Sequence, residues 1–268
     1  MTAALPRRTT RATAALAVAA SAAVALTACS TGSAATSDGE VDTTLTVFAA
    51  ASLTAAFDET AADFEADHPG VDVRLSLAGS SSLVAQIQQG APADVVATAD
   101  TATMNTLVAD DLVDAPEPFA TNTLEIVVPP GNPTGIANLQ DLTDPGLNLV
   151  VCAPEVPCGA ATTAVVDHAG LTLQPVSEEQ SVTDVLGKVT AGEADAGLVY
   201  VTDVARAGDR VEGVAFDESA AAVNTYPIAM VDRSGQTPDQ ADLAQQFVDA
   251  VLSPDGQAVL ADLGFAAP

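Results

Sequence analysis

Four places in the chain have serine, or glycine among small residues, where a helical pattern begins, and three of them follow the end of an apolar run of strand length. They are Ala51-Ser52, Gly79-Ser80-Ser81-Ser82, Pro157-Cys158-Gly159 and Ser181-Val182-Thr183. Helix N-termini present unpaired N–H groups and partial positive charge, so they bind anions without Lys or Arg. Together the four junctions predict a site for a compact anion. At any single junction, ordinary helix capping by serine remains the alternative.

Motifs for catalysis, metal binding and nucleotide binding are absent from the sequence. His68 lies in a turn (Asp-His-Pro-Gly), and His168 lies near the end of a helical pattern. The motifs GxSxG, GxxxxGK[ST] and GxGxxG do not occur, and the carboxylates do not follow the spacing of a calcium loop. We therefore expect no enzyme activity, no cofactor and no protein side chain that ligates a metal directly.

The charge of the chain excludes two classes of partner. Acidic residues number 36 and basic residues 8, which gives a net charge of -28. Nucleic acids and anionic lipid headgroups are bound through Lys and Arg that neutralise phosphate, so neither is expected as a partner. Hydrophobic residues make up 48% of the chain, which argues for a folded protein with a solvated acidic surface.

The N-terminus predicts a lipoprotein signal peptide over residues 1–28. Basic residues in 6–11 precede an uncharged, alanine-rich stretch over 12–28, as in a signal peptide. Leu26-Thr27-Ala28-Cys29 resembles the bacterial lipobox, in which the cysteine becomes the lipid-bearing first residue. Cleavage nearby with Cys29 incidental is the alternative. Residues 29–43 are small, polar and acidic and suit a flexible tether. We expect an extracytoplasmic protein that touches the membrane only through lipidated Cys29.

Export would place the two remaining cysteines, Cys152 and Cys158, in an oxidising compartment. They lie in Cys-Ala-Pro-Glu-Val-Pro-Cys, and neither histidine is near them in the sequence. A disulfide between them is the simplest interpretation, and a pair of free buried thiols is the alternative.

Strand-length apolar runs alternate with helical periodicities from Leu45 onward, which predicts an α/β fold. The predicted strands cover 45–50, 71–77, 94–97, 124–128, 147–152 and 197–200. Their continuous Val, Leu and Ile content is typical of buried parallel strands. Residues 53–66 predict a helix that buries one face, formed by Leu53, Ala56, Phe57, Ala61 and Phe64.

Several segments resemble the molybdate-binding proteins of ABC transporters. The most specific are Phe48–Thr54 (FAAASLT) and Gln89–Asp94 (QGAPAD). Ser80–Leu83, Val156–Gly159, Gly197–Tyr200, Tyr226-Pro227 and the closing Ser253-Pro254 with Gly264-Phe265 fit as well. The resemblance covers about residues 44–268.

This resemblance implies a two-lobed periplasmic-binding-protein (Venus flytrap) fold, each lobe a mixed, mostly parallel sheet flanked by helices, with two crossovers. One lobe would hold 44–122 and 227–268, and the other 123–226. The anion would lie between them and bind hydroxyl and N–H groups of Ser52 and Ser80, the N–H groups of Cys158 and Val182, and the phenol of Tyr200. Relatives often carry a small residue such as Ala in place of Cys158, but only the N–H is needed there.

The function implied is capture of molybdate or tungstate and delivery to an ABC permease by a monomeric binding protein. A receptor for another tetrahedral oxyanion such as sulfate, or a sensory oxyanion-binding module, is the alternative.

Overall fold

Strands and helices alternate along residues 43–268, the part of the chain that the computed structural model describes. The strands are β1 (Thr43–Ala50), β2 (Val71–Ala78), β3 (Val95–Ala97), β4 (Glu117–Asn122), β5 (Leu124–Val128), β6 (Leu149–Cys152), β7 (Ser177–Glu179), β8 (Ala196–Tyr200), β9 (Glu212–Val214) and β10 (Asn224–Met230). The helices are α1 (Thr54–Asp67), α2 (Ser80–Gln88), α3 (Thr101–Ala109), α4 (Pro157–Ala169), α5 (Val182–Thr190), α6 (Val201–Ala207), α7 (Pro238–Leu252) and α8 (Pro254–Asp262). The predicted signal peptide, Cys29 and the tether up to residue 42 lie outside these residues.

The strands form two sheets, one in each lobe, which confirms the two-lobed α/β prediction. Lobe 1 has the strand order β2-β1-β3-β10-β4, and lobe 2 has the order β7-β6-β8-β5-β9. Within lobe 1, β10 runs antiparallel to both neighbours, whereas β1, β2 and β3 are parallel. Lobe 2 repeats this arrangement, with β5 as the reversed strand. Each sheet is therefore mixed, with four strands in one direction and one reversed.

The reversed strand of each sheet is the strand that follows a crossover between the lobes. β4 ends at Asn122 in lobe 1, and β5 begins at Leu124 in lobe 2. On the return, β10 begins at Asn224, and its first residues pair with β4. The boundary predicted between residues 226 and 227 therefore falls inside β10, and the second crossover lies before Asn224.

The helix that follows β1 shows how the apolar pattern builds the core of lobe 1. A single 3₁₀ turn over Ala51–Leu53 precedes α1. All five residues of the predicted apolar face, Leu53, Ala56, Phe57, Ala61 and Phe64, are buried. Phe57 and Phe64 both contact the ring of Phe247 in α7. The C-terminal helices thus pack on lobe 1, although the chain has passed through lobe 2 before reaching them.

No helix within residues 43–268 combines the length and the apolar character needed to cross a membrane. The strands that the sequence did not predict are β4, β7, β9 and β10. β7 and β9 have three residues each and lie at the edges of the lobe 2 sheet.

Candidate functional site: an inter-lobe cavity

A small cavity, called here the inter-lobe cavity, lies where helix N-termini of both lobes face each other. Its lobe 1 lining is Ala50, Ala51, Ser52, Gly79, Ser80 and Ala99, and its lobe 2 lining is Val156, Pro157, Cys158, Gln180, Ser181, Val182 and Tyr200. All five residues predicted to contact the anion are therefore brought to one place. The free volume is about 20 Å³. This suits a compact ion and is far below the roughly 300–1,000 Å³ of pockets for organic ligands.

The lobe 1 wall is built from the carboxyl ends of β1 and β2. Ser52 lies in the 3₁₀ turn after β1 and is 5% exposed, and Ser80 is the first residue of α2 and is 1% exposed. No side chain caps the N-terminus of α2, because its N-cap residue is Gly79. The two serine hydroxyls are thus not used for helix capping and remain available to the cavity.

The hydroxyl of Ser80 is oriented by a backbone N–H that follows β3, two strands away from β2 in the sheet. The N–H of Ala99 donates to Oγ of Ser80 at 3.0 Å. Because this bond occupies an acceptor position of the hydroxyl, the O–H of Ser80 is free to donate. A helix N-terminus beside a free donor forms an anion-binding surface.

The lobe 2 wall is built from the N-termini of α4 and α5. The first residues of each helix have N–H groups without partners in their own helix. Cys158 follows Pro157, the first residue of α4, and Val182 is the first residue of α5. Their N–H groups lie in this unpaired first turn.

Ser181 is the junction at which ordinary capping accounts for the serine. Its Oγ accepts the N–H of Asp184 at 3.2 Å, and its O–H donates to a carboxylate oxygen of the same residue at 2.7 Å. The hydroxyl of Ser181 is therefore engaged within α5 and does not supply a donor to the cavity.

Tyr200 closes the cavity from the end of β8. Its side chain is buried, and Oη makes no hydrogen bond of good geometry with a described residue, although the hydroxyl of Tyr226 lies nearby. Burial raises the pKa of Tyr200 well above its usual range, and nearby acidic groups act in the same direction. The phenol is therefore neutral and keeps a proton that it can donate.

None of the residues that line the cavity has a charged side chain. Among the described residues, no cluster of His, Cys, Asp and Glu could hold a metal ion. The cavity offers hydroxyl and backbone N–H donors and no carboxylate, so its chemistry suits an anion whose atoms all accept hydrogen bonds.

A disulfide shapes the loop that leads into α4. Cys152, the last residue of β6, is bonded to Cys158 with a Cα–Cα distance of 5.7 Å. A side chain at Gly159 would lie 1.8 Å from the carbonyl oxygen of Ala153, so only glycine allows the loop to fold back this closely. The disulfide and this glycine together hold the residue that presents its N–H to the cavity.

Sequence reasoning missed two contributors to the site, Ala99 and Gln180. A side chain at Gly79 would lie 2.0 Å from the carbonyl oxygen of Gln180, so the two lobes touch at this point. Gly79 belongs to a junction predicted from the sequence, where it directly precedes the serine run. Ala99 carries only a methyl group, and Gln180 carries an amide that bonds to Glu155 but precedes the junction at Ser181 and so lies outside the predicted set.

The sequence of this chain also matches a known protein family. Residues 45–266 match the family described as bacterial extracellular solute-binding protein. The chain belongs to this family.

The names of two relatives of this chain state different anions. The molybdate-binding protein ModA of Mycobacterium tuberculosis is 48% identical over 94% of this chain and 96% of its own length. A sulfate-binding protein of Synechococcus elongatus is 28% identical over 99% of this chain and 84% of its own length. The solved structure of the periplasmic molybdate-binding protein of Azotobacter vinelandii superposes with a TM-score of 0.71 and 22% identity, covering 84% of this chain and 99% of that one, and shows the shared fold.

Proposed function

We propose that this protein is an extracytoplasmic receptor for molybdate and tungstate, and that it binds the anion in the inter-lobe cavity. The observation that carries the proposal is the set of neutral hydrogen-bond donors gathered in the wall, namely two serine hydroxyls, the Tyr200 phenol and the first turns of α4 and α5, with no carboxylate among them. Molybdate and tungstate at neutral pH are tetrahedral dianions whose oxygens all accept hydrogen bonds. The identity to mycobacterial ModA, well above that to the sulfate-binding protein, supports the choice of anion.

The ligand contacts that we propose are those of the five predicted residues. Ser52 and Ser80 donate from lobe 1, Cys158 and Val182 donate their N–H groups from lobe 2, and Tyr200 donates its phenol. Because lobe 1 and lobe 2 each supply part of this set, the anion bridges them and favours their contact.

Calorimetry with purified protein at constant ionic strength tests this function. We expect molybdate and tungstate to bind at least roughly tenfold more tightly than sulfate, because donors spaced for the larger anion do not reach the shorter sulfate oxygens together. We expect the Ser52→Ala, Ser80→Ala double variant to lose most of its molybdate affinity. Sulfate binding as tight as molybdate binding would favour a sulfate receptor, and unchanged affinity in the double variant would refute the site.

We propose further that the protein acts in transport and is not an enzyme. It would work as a monomer and deliver the anion to an ABC permease, with lipidated Cys29 as its membrane anchor. Deletion of its gene should abolish high-affinity molybdate uptake. A deletion strain with normal uptake but altered molybdate-dependent gene expression would favour the sensory alternative. Intact mass of the native, membrane-extracted protein should show a chain that begins at Cys29 and carries acyl groups.

A further inference from the structure

A second tyrosine, Tyr226, contacts Ser52 without lining the inter-lobe cavity. Tyr226, in β10, is 0% exposed, and its Oη lies 3.1 Å from Oγ of Ser52. Its ring meets the ring of Tyr200 edge-on, with 6.0 Å between centroids. Tyr226 thus contacts one proposed anion donor of each lobe.

The burial of Tyr226 decides which hydroxyl donates in this pair. Oη of Tyr226 and Oγ of Ser52 form a hydrogen bond in which either hydroxyl could donate, and the side chains of Asn122 and Tyr200 also lie close to Oη. A buried hydroxyl whose proton has no acceptor is destabilised. Burial also raises the pKa of Tyr226 far above its usual range, so the proton stays on the phenol. A bond in which the phenol donates and Oγ of Ser52 accepts satisfies this proton.

In this arrangement Ser52 and Ser80 are both oriented as hydrogen-bond donors toward the cavity, although different groups orient them. Ser80 accepts from the N–H of Ala99 at 3.0 Å, and with the phenol as donor Ser52 accepts from Tyr226. Each serine is left with its own proton to direct toward the cavity. A serine hydroxyl that already accepts one hydrogen bond and donates toward the cavity is less able to accept another hydrogen bond from the ligand.

We propose that Tyr226 is a positioning residue that holds Ser52 as a hydrogen-bond donor and thereby excludes oxyanions that carry a proton. The inference rests on the proposed oxyanion function of the cavity and adds the residue that sets its selectivity. Hydrogen phosphate and hydrogen arsenate have one O–H that needs an acceptor. With Tyr226 in place, the hydroxyl of Ser52 does not supply one.

The test is the ratio of molybdate to phosphate affinity in Tyr226→Phe, measured by calorimetry at mildly alkaline pH, where phosphate is chiefly the hydrogen phosphate dianion. In this variant the acceptor position of Ser52 becomes free. We expect molybdate affinity to fall and phosphate affinity to hold or rise, so that the ratio drops roughly tenfold or more. A purely structural role would weaken both anions equally, and an unchanged ratio overturns the proposal.

Two matched variants separate the effect of the Tyr226–Ser52 hydrogen bond from the effect of packing around the ring of Tyr226. Phe265 also meets the ring of Tyr226 edge-on, at 5.5 Å between centroids, and Phe265→Leu should leave the ratio unchanged. In a Ser52→Ala background, Tyr226→Phe should no longer alter the ratio, since the serine through which it acts is gone. A change of ratio in either case contradicts the proposal.

A measurement on the wild-type protein covers the case in which Tyr226→Phe does not fold. In the molybdate complex, the hydroxyl proton of Tyr226 should exchange slowly and show a nuclear Overhauser effect to the β-protons of Ser52. A Ser52 hydroxyl proton directed at Tyr226 overturns the inference but leaves the proposed function intact. Absence of molybdate and tungstate binding by the wild type would overturn both.

Discussion

The hydroxyl of Ser81 in lobe 1 donates to the carbonyl oxygen of Glu155 in lobe 2 at 2.8 Å. Ser81 follows the proposed anion donor Ser80 in α2, and Glu155 lies inside the loop closed by the Cys152–Cys158 disulfide. The bond therefore joins the lobes directly beside the inter-lobe cavity without lining it. It stabilises the arrangement in which the donors of both lobes face one anion.

Ser81→Ala should weaken molybdate binding although Ser81 is not among the residues that line the cavity. Loss of one hydrogen bond between the lobes corresponds to about 0.5–1.5 kcal/mol, or roughly two- to tenfold in affinity. Most of the effect should lie in a faster dissociation rate, which stopped-flow tyrosine fluorescence can measure. Ser82→Ala, one residue further along α2, is the control and should bind like the wild type. Equal effects of the two substitutions would contradict the role of this bond.

Gly79→Ala should block the contact between the lobes while leaving each lobe folded. The backbone of Gly79 has φ -59° and ψ 134°, which alanine adopts without strain. Its Cβ, however, would lie 2.0 Å from the carbonyl oxygen of Gln180 across the cleft. We expect thermal stability close to that of the wild type and molybdate affinity reduced by more than roughly tenfold, since the lobes must stay apart.

Gly187→Ala in α5 is the matched control for Gly79→Ala, because an added Cβ there meets no atom within 4 Å. It should leave the affinity unchanged. Small-angle scattering with and without molybdate gives a second readout, in which Gly79→Ala should fail to become more compact. Wild-type affinity in Gly79→Ala would show that the lobes do not meet at this point.

Removal of the disulfide by the Cys152→Ser, Cys158→Ser double substitution should reduce both stability and affinity. The loop it closes is short, so chain entropy accounts for about 2 kcal/mol of the free energy of unfolding. Affinity should fall as well, because the loop contains the carbonyl that Ser81 binds and ends at the N–H of Cys158. Urea unfolding without ligand and calorimetry measure the two effects separately. Wild-type affinity in the variant would mean that the loop keeps its shape without the bond.

The sequence identified residues that share the lining of the inter-lobe cavity better than it identified the strands around them. Ser52 and Ser80 follow the ends of strands rich in Val and Leu, and Tyr200 ends another, so the positions of these residues could be found from the pattern alone. β10 was missed because Pro227 lies in its middle, and proline normally argues against a central strand. The structure accommodates it with a shift of register between Tyr226 and Pro227.

The roles of the serines could not be told apart from the sequence. Ser181 caps its helix, whereas Ser80 is held by an N–H from a different strand end. Whether a serine hydroxyl turns to its own helix or to a cavity depends on neighbours brought close by the fold. The link between Ser52 and Tyr226 spans 174 positions, and no local pattern could reveal it.

Asp203 should make the stability of the protein depend on pH. Its side chain is 0% exposed, accepts the N–H of Tyr200 at 3.3 Å and pairs with Arg206 at 3.2 Å. Burial raises its pKa to about 6, against the opposing effect of Arg206. The folded protein therefore holds this proton more tightly than the unfolded chain does. The corresponding stabilisation is complete below about pH 4 and is lost as the pH rises through about 6.

Asp203→Asn isolates this contribution, because the other acidic residues titrate in both proteins. The free energy of unfolding of the wild type relative to the variant should fall by on the order of 1–3 kcal/mol between about pH 4 and about pH 7. Urea titrations at a series of pH values measure it. A difference that stays constant, or that rises with pH, would show that the carboxyl of Asp203 is ionised throughout.

Tyr200→Phe should separate binding from stability. The phenol oxygen of Tyr200 is buried without a partner among the described residues, so removing it should leave the ligand-free protein as stable as the wild type or slightly more stable. Molybdate affinity should fall roughly tenfold or more, because a hydrogen bond to a charged ligand is lost.

Tyr226→Phe is the matched comparison for Tyr200→Phe. The hydroxyl of Tyr226 bonds to Ser52, so the ligand-free Tyr226→Phe variant should be destabilised by about 1 kcal/mol. The chain has two tyrosines and no tryptophan, so the emission of the remaining tyrosine reports molybdate binding in each variant. Equal loss of stability in both variants would mean that the Tyr200 hydroxyl is bonded within the protein and is not directed at the anion.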